Sequence, residues 1–334
     1  MGDYHARCCE RFGVKFPLPT RLTSLPKPPS TMSSFNLSSI PVQKGKIAIV
    51  TGANIGLGYE TALALAKKEF KVILACRSAD KAKSAMKSML EEIPNAEIEI
   101  ILLDLNSLIS VRGFAKKFVS KYDRLDLLIE NAGIMAVPFA KTEDGFESQL
   151  GVNYLAHFLL TNLLFPLLKN TTGSRIITLS SLAHKAGKID FDNLNSQNSY
   201  SKWPAYSQSK LACLMFGYEL NRRIKKAGID SSALSAHPGL SSTNLGQYLP
   251  SFVKLLFVPA AAIFGQDSEH GALPTLSAAL DLEAKGGEYY GPTGIMEAKG
   301  TPGKVESSKI SHDLEVAEKL WKVSEKLTGK KFDI

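Results

Sequence analysis

The chain has 334 residues, enough for one large α/β domain or for two smaller ones of about 150 residues each. Hydrophobic residues make up 44% and charged residues 22%, proportions that exclude a disordered chain and allow a core of useful size. The formal net charge is +8, but Lys and Arg are interleaved with Asp and Glu and no basic run has aromatic neighbours. This argues against nucleic acid and for a solvated surface that attracts anionic ligands.

Residues 1–44 read as a flexible N-terminal extension. They hold Pro17, Pro19, Pro26, Pro28, Pro29 and Pro41, many serines and no periodic pattern, and no Asp or Glu occurs from Arg11 to Tyr59. Basic, Ser-rich and acid-poor is the composition of an organelle transit peptide, although the prolines forbid a long amphipathic helix. A second reading makes Met32 the start and residues 1–31 an upstream extension. Both stay open. The expected location is cytoplasmic, or a plastid or mitochondrion if the extension is a transit peptide.

From Lys46 the pattern changes. Ile47 to Val50 reads as a buried strand, followed by a glycine turn and a helix from Leu57 to Lys68. Further strands are predicted at Val72–Ala75, Glu97–Leu103, Leu127–Ile129, Arg175–Leu179 and Ser231–Ala236. Helical periodicity marks Ser110–Tyr122, Phe146–Leu168, Ala205–Ala227 and Asp313–Leu327. Alternation of strand and helix predicts a single Rossmann-type, doubly wound parallel sheet with helices on both faces. The expected domain is 45–330, with a nucleotide-binding half 45–150 and a catalytic and substrate half 151–330. No apolar run is expected to reach the ~18 residues that span a bilayer; the longest candidate, Phe252–Phe264, contains Lys254 and Pro259. Cys8, Cys9, Cys76 and Cys213 form no C-x-x-C pair, so neither a zinc site nor a disulfide framework is expected.

The turn after the first strand reads Thr51-Gly52-Ala53-Asn54-Ile55-Gly56-Leu57-Gly58. Glycines there let backbone approach a pyrophosphate, and the amides opening the next helix point at its charge. Gly52, Asn54, Ile55, Gly56 and Gly58 are therefore candidate cofactor contacts. The second strand ends in Cys76-Arg77-Ser78, where an NAD site would have a carboxylate for the ribose 2′-hydroxyl. Arg77 would pair with a 2′-phosphate, which selects NADP(H). Asp104 ends the third strand and could accept from the adenine amino group, with Leu105 packing on the ring. Asn131, Ala132 and Gly133 end the fourth and face the same crevice.

Tyr206 and Lys210 stand four residues apart, on one face of a predicted helix. A neighbouring ammonium stabilises tyrosinate, and such a phenol can exchange a proton with a carbonyl oxygen as hydride moves at carbon. Ser180 and Ser181 follow the fifth strand and Asn153 lies in the long helix after the fourth.

Together the motifs Thr51–Gly58, Asn131–Gly133, Asn153, Ser181, Tyr206 with Lys210, and His237-Pro238-Gly239 resemble the short-chain dehydrogenase/reductase family over residues 45–328. The resemblance implies that Tyr206 is the general acid/base, that Ser181 holds the substrate oxygen, and that Lys210 binds the nicotinamide ribose and eases loss of the Tyr206 proton. It implies that Asn153 holds a water of the proton relay, that Pro238 and Gly239 lie against the nicotinamide, and that Thr243 bonds its carboxamide or the phosphates. Ser181 is chosen over Ser180 because it precedes the tyrosine by 25 residues, as in the retinol dehydrogenase-like subgroup. That subgroup, also similar to protochlorophyllide reductases, is resembled by Ala75–Ser78, Ser180–His184, Ala205–Lys210 and Leu320–Leu327. Two departures stand out. Glu130 replaces a frequent asparagine, with Asn131 retained, and the N-terminal stretch is unlike the membrane anchor of animal retinol dehydrogenases.

Leu245–Gly265 corresponds to the family's variable lid and is rich in Leu249, Phe252, Leu255, Leu256, Phe257 and Phe264. Two readings of it are open: a cover for a lipophilic carbonyl or alcohol, or one buried core helix. Met135, Phe139, Tyr200 and Trp203 are expected at the pocket mouth. His184 is read as a loop histidine rather than a second acid. NADP selectivity points to reduction in the cell. The rivals are reduction of a carbon–carbon double bond, as in protochlorophyllide reductase, and a catalytically silent NADP-binding sensor. The resemblance implies dimers or tetramers through the Asn153-bearing and Tyr206-bearing helices, and a homodimer is open here.

Overall fold

The computed structural model describes residues 35–240 and 266–334 of the chain. Residues 1–34, Thr243 and the lid segment 245–265 lie outside them.

An eight-stranded sheet runs in the order β3-β2-β1-β4-β5-β6-β7-β8. Its strands are β1 (Ile47–Thr51), β2 (Lys71–Cys76), β3 (Ile98–Leu102), β4 (Leu127–Glu130), β5 (Ser174–Leu179), β6 (Ser231–Ala236), β7 (Tyr289–Pro292) and β8 (Pro302–Lys304). The first seven are parallel; β8 pairs antiparallel with β7, Gly291 opposite Gly303. The expected all-parallel sheet thus gains an antiparallel edge. β7 and β8 escape a reading by pattern because they are short and broken by Gly and Pro.

Strand β1 is buried along its whole length because both faces are covered. Ile47 and Ile49 enter one core, Ala48 and Val50 the other. Helices α1 (Gly56–Lys67), α2 (Ala79–Glu92) and α6 (Ser268–Leu280) pack on the second face. Helices α3 (Leu108–Val119), α4 (Ser148–Asn170), α5 (Lys202–Lys226) and α7 (Leu314–Thr328) pack on the first. The sequence reading did not foresee α2, which starts where the Ser78 side chain accepts from Lys81 N, or α6, started by Asp267 in the same way on His270 N.

The described residues from 35 to 334 cluster as one unit, so the two expected halves share a single sheet. The unit is longer than predicted at both ends. Phe35, Leu37 and Ile40, assigned to a flexible extension, pack against the second core, and Lys68 Nζ donates to Ile40 O at 2.6 Å. At the other end Phe332 is buried against Phe158, Phe165 and Trp321.

Helix α4 corrects one expectation. By length and composition it could cross a membrane, but 78% of the relevant window is buried inside the fold, as in a core helix. Its register is broken by a π segment, Gly151–Leu155, in which Ala156 N bonds back to Gly151 O. Helix α7 covers α4 and α5. Trp321 meets Phe158 and Phe216 with ring centroids 5.3 and 5.8 Å apart, and the Tyr154 and Ser324 hydroxyls are 2.7 Å apart.

Candidate active site

The strand order reverses between β1 and β4, which opens a crevice at the carboxyl ends of the parallel strands. Residues 51–58, 76–78, 103–106, 131–134, 180–181 and 237–240 all follow strand ends on that edge.

The glycine turn is built by backbone geometry. Gly52 and Gly56 have φ of +68° and +58°. Gly58 has no room for a side chain: a Cβ would lie 2.4 Å from both Gly52 O and Asn131 Nδ2. Asn131 Nδ2 donates to Thr51 O at 2.8 Å, and Ala132 N to Thr51 Oγ1 at 2.9 Å, which locks the turn after β4 to the turn after β1. No side chain caps α1 and its first turn holds no acid, so its amides keep their affinity for an anion. Asn54 is half-buried and Ile55 is exposed beside them. Arg77 is exposed and makes no ion pair among the described residues. This donor set fits a dinucleotide phosphate.

Asp104 and Leu105 follow β3. Asp104 is half-buried, and its Oδ1 accepts from Asn106 N at 2.9 Å, which leaves Oδ2 able to accept from another donor. Leu105 is buried in the first core and leaves little side-chain surface on which an adenine ring could lie. The alternating pattern that located β3 carries no information about this loop.

On α5, Tyr206 and Lys210 sit one turn apart and both are buried. Lys210 Nζ donates to Leu179 O at 3.0 Å, and no carboxylate pairs with it among the described residues. Its ammonium therefore keeps its charge unbalanced at the end of β5. A Cβ on Gly133 would stand 3.4 Å from Lys210 Nζ and 3.2 Å from Asn153 Oδ1, so these three positions adjoin. Ser180 is buried and its hydroxyl donates to Lys210 O at 2.8 Å. Ser181 is half-buried, and among the described residues its hydroxyl only accepts a 3.2 Å bond from Ala183 N. Of the two, Ser181 alone keeps a proton to donate outward.

Asn153 lies in the π segment, and its side chain is spent inside the protein. Oδ1 accepts from Ile134 N at 2.8 Å; Nδ2 donates to Ile134 O and Ser209 Oγ, each at 2.9 Å. Its carbonyl takes His157 Nδ1 at 2.9 Å and Cys213 Sγ at 3.2 Å. These bonds fix Asn153 in place beside Gly133 and Lys210.

After β6, Gly239 has φ of +66°, and a Cβ there would strike Ala298 O at 2.4 Å. Pro238 is half-buried, and its carbonyl accepts from Gln266 Nε2 at 2.8 Å. His237 is fully buried: Nδ1 accepts from Gly239 N at 3.1 Å and Nε2 lies 3.1 Å from Glu297 Oε2. His237 and Lys185 together hold the Glu297 carboxyl down to about 2.

His184 is fully buried and pushed down to about 4 by burial. Its Nδ1 donates to Ser181 O at 2.7 Å and its Nε2 accepts from Ser308 N at 3.1 Å, so it braces the loop, as the sequence reading preferred. Glu130 points away from the crevice and receives the Thr161 hydroxyl of α4. At the mouth, Phe139 and Trp203 are exposed; Trp203 stands edge-on to Tyr206 with centroids 6.3 Å apart, and Phe139 contacts Tyr200 at 5.1 Å.

The sequence reading missed the residues that brace this arrangement. Gln149 links Ala136 N to Tyr200 Oη and Lys202 O. His157 is another. A polar residue four positions after Asn153 in an otherwise apolar helix was the available signal.

The family model described as short chain dehydrogenase matches residues 46–253. Retinol dehydrogenase 13 of Mus musculus is 44% identical over 292 residues, 85% of this chain and 84% of that protein. A crystal structure of an uncharacterized protein from Mycobacterium paratuberculosis is 40% identical with a TM-score of 0.76, covering 90% of this chain and all of that one. A short chain dehydrogenase from Shigella flexneri 2a, solved with NADP, has a TM-score of 0.56 at 22% identity and covers 74% of this chain and 97% of that one, a likeness of fold alone.

Proposed function

The chain belongs to the short chain dehydrogenase family and is an oxidoreductase, and from that premise we propose that it moves hydride between NADP(H) and a lipophilic carbonyl or alcohol. The observation that carries the reading is the buried pair Tyr206 and Lys210 on one helix face, with the ammonium free of any carboxylate among the described residues.

Bound NADPH supplies the hydride in the direction of reduction. The chain's residues do the rest. The Ser181 hydroxyl donates to the substrate oxygen and orients it. Tyr206 Oη gives that oxygen a proton as charge develops on it. The Lys210 ammonium offsets the negative charge left on the phenol oxygen, and burial strengthens that attraction. Uncapped amides of α1 and the exposed Arg77 would hold the phosphates, with Arg77 on the 2′-phosphate. Pro238 and Gly239 would lie against the nicotinamide. The exposed rings of Phe139 and Trp203 favour an apolar substrate, and the similarity to a retinol dehydrogenase supports one with a lipophilic body.

The test follows loss of NADPH absorbance with aliphatic, aromatic, retinoid and steroid carbonyls, and with NADH in parallel. Turnover of lipophilic carbonyls is expected with NADPH and weakly with NADH. Tyr206→Phe should lower turnover by at least about 100-fold, the scale of a lost general acid, while NADPH still binds. Full activity in that variant would refute the mechanism.

A further inference from the structure

His157 is fully buried in the apolar helix α4, two residues past the π segment that carries Asn153. Its hydrogen bonds can be given directions. Asn153 O is a carbonyl and only accepts, so His157 Nδ1 carries a proton and donates to it at 2.9 Å. Burial pushes the imidazole down to about 4, so the ring is neutral and Nε2 is bare. Nε2 must then accept from the Thr51 hydroxyl, 3.0 Å away. Thr51 Oγ1 in turn accepts from Ala132 N at 2.9 Å. Its 3.4 Å approach to Ile129 O is the weaker alternative for the same proton. One ring thus joins three separate pieces of the site. Thr51 ends β1 and opens the glycine turn, Ala132 belongs to the loop after β4, and Asn153 stands beside Lys210 across Gly133.

We propose that His157 is a positioning residue that couples the cofactor turn to the catalytic helix face, through Thr51 on one side and Asn153 on the other. The proposal rests on the hydride-transfer reading above. Each ring nitrogen serves one side, so the two functions can be separated by substitution. His157→Asn keeps an N–H near the position of Nδ1 and loses the acceptor for Thr51. His157→Gln reaches as far as Nε2, can accept from Thr51, and loses the donor to Asn153. Neither touches substrate or cofactor.

The experiment measures NADPH affinity by nicotinamide fluorescence without carbonyl, and separately the single-turnover rate at saturating NADPH. His157→Asn should weaken NADPH by about tenfold, the scale of one buried hydrogen bond, with the rate nearly kept. His157→Gln should slow the rate by about tenfold on the same scale, with affinity nearly kept. If either variant folds poorly, Thr51→Val approaches from the other end. It should weaken NADPH at least as much as His157→Asn, because it also removes the acceptor for Ala132 N, and the double variant should fall short of the summed losses. Unchanged affinity and rate in both histidine variants would overturn the proposal. So would parallel losses of affinity, rate and Tm in both, the signature of a merely structural core residue. If the parent chain binds NADPH but reduces none of the carbonyls, the hydride-transfer reading fails instead. The coupling is then upheld only if His157→Asn alone weakens NADPH, and is overturned otherwise.

Discussion

Glu130 is a carboxyl buried between sheet and helix with a hydroxyl, and no cation among the described residues, as its partner. Burial pushes it up to about 8, the Thr161 bond opposing only in part. The folded state therefore binds this proton more tightly than the unfolded chain, where a glutamate titrates at about 4.3. The stability contributed by this linkage is complete below that value and is lost as pH rises through about 8. Glu130→Gln removes the titrating group and keeps the shape. The expected outcome is little change in Tm near pH 4 and a gain of roughly 2–6 °C for the variant by about pH 8. A pH-independent difference in thermal unfolding would show that Glu130 is ionised in the fold. The residue also shows how a departure from the family's asparagine is tolerated: it faces α4, while Asn131 and Ala132 tie the turn after β4 to Thr51.

Among elements, the glycine turn and α4 do most to place the site. Gly58 belongs to a close approach of α1 to Gly52 and Asn131, whereas Gly113 sits exposed in α3 with nothing within 4 Å of a Cβ. The two substitutions should then have opposite signs. Gly113→Ala is expected to stabilise by about 0.5–1 kcal/mol, through the lost freedom of the unfolded chain and better helix propensity. Gly58→Ala should destabilise by at least about 1–3 kcal/mol, the scale of overpacking, and weaken NADPH as Gly52 is displaced. Urea titration of both variants with NADPH binding in parallel checks this. A stable Gly58→Ala that binds NADPH normally would mean that α1 can retreat from the turn. In α4, the π segment gathers Asn153 against Ile134 and Ser209, and the long apolar run that follows reads as core because sheet, α3, α5 and α7 surround it.

On the scale of the whole molecule, α7 and the C-terminal residues decide what the outer face of α4 and α5 can do. Trp321 is buried among Phe158, Phe216 and Phe332, with the Arg223 guanidinium 4.2 Å from its ring centroid. A second copy cannot reach the surface that this cluster occupies. Light scattering after size exclusion is therefore expected to show no dimer that is built on the α4 and α5 faces under α7. Trp321→Ala should cost about 3–5 kcal/mol in urea unfolding, the usual loss for a buried tryptophan. A dimer in the parent chain whose dissociation follows Trp321→Ala would show that α7 builds an interface instead of closing one.

Local patterns made much of this legible beforehand. Short apolar, β-branched runs located β1 to β6, glycines with a following helix located the cofactor turn, and four-residue spacing put Tyr206 and Lys210 on one face. Each depends on residues a turn or a strand apart, so the chain needs no long-range partner to display it. Neighbours distant in sequence decided the rest. Ser180 turns inward because Lys210 O is there to receive its proton, 30 residues on; Leu105 sinks into the core; the Asn153 carbonyl meets His157 and Cys213. Strands β7 and β8 exist because β6 offers an edge, and α7 closes over helices that by themselves would be open to a partner. Which polar group meets which, and which apolar face is covered, follow from packing the finished sheet and helices together. No short stretch of sequence encodes that competition.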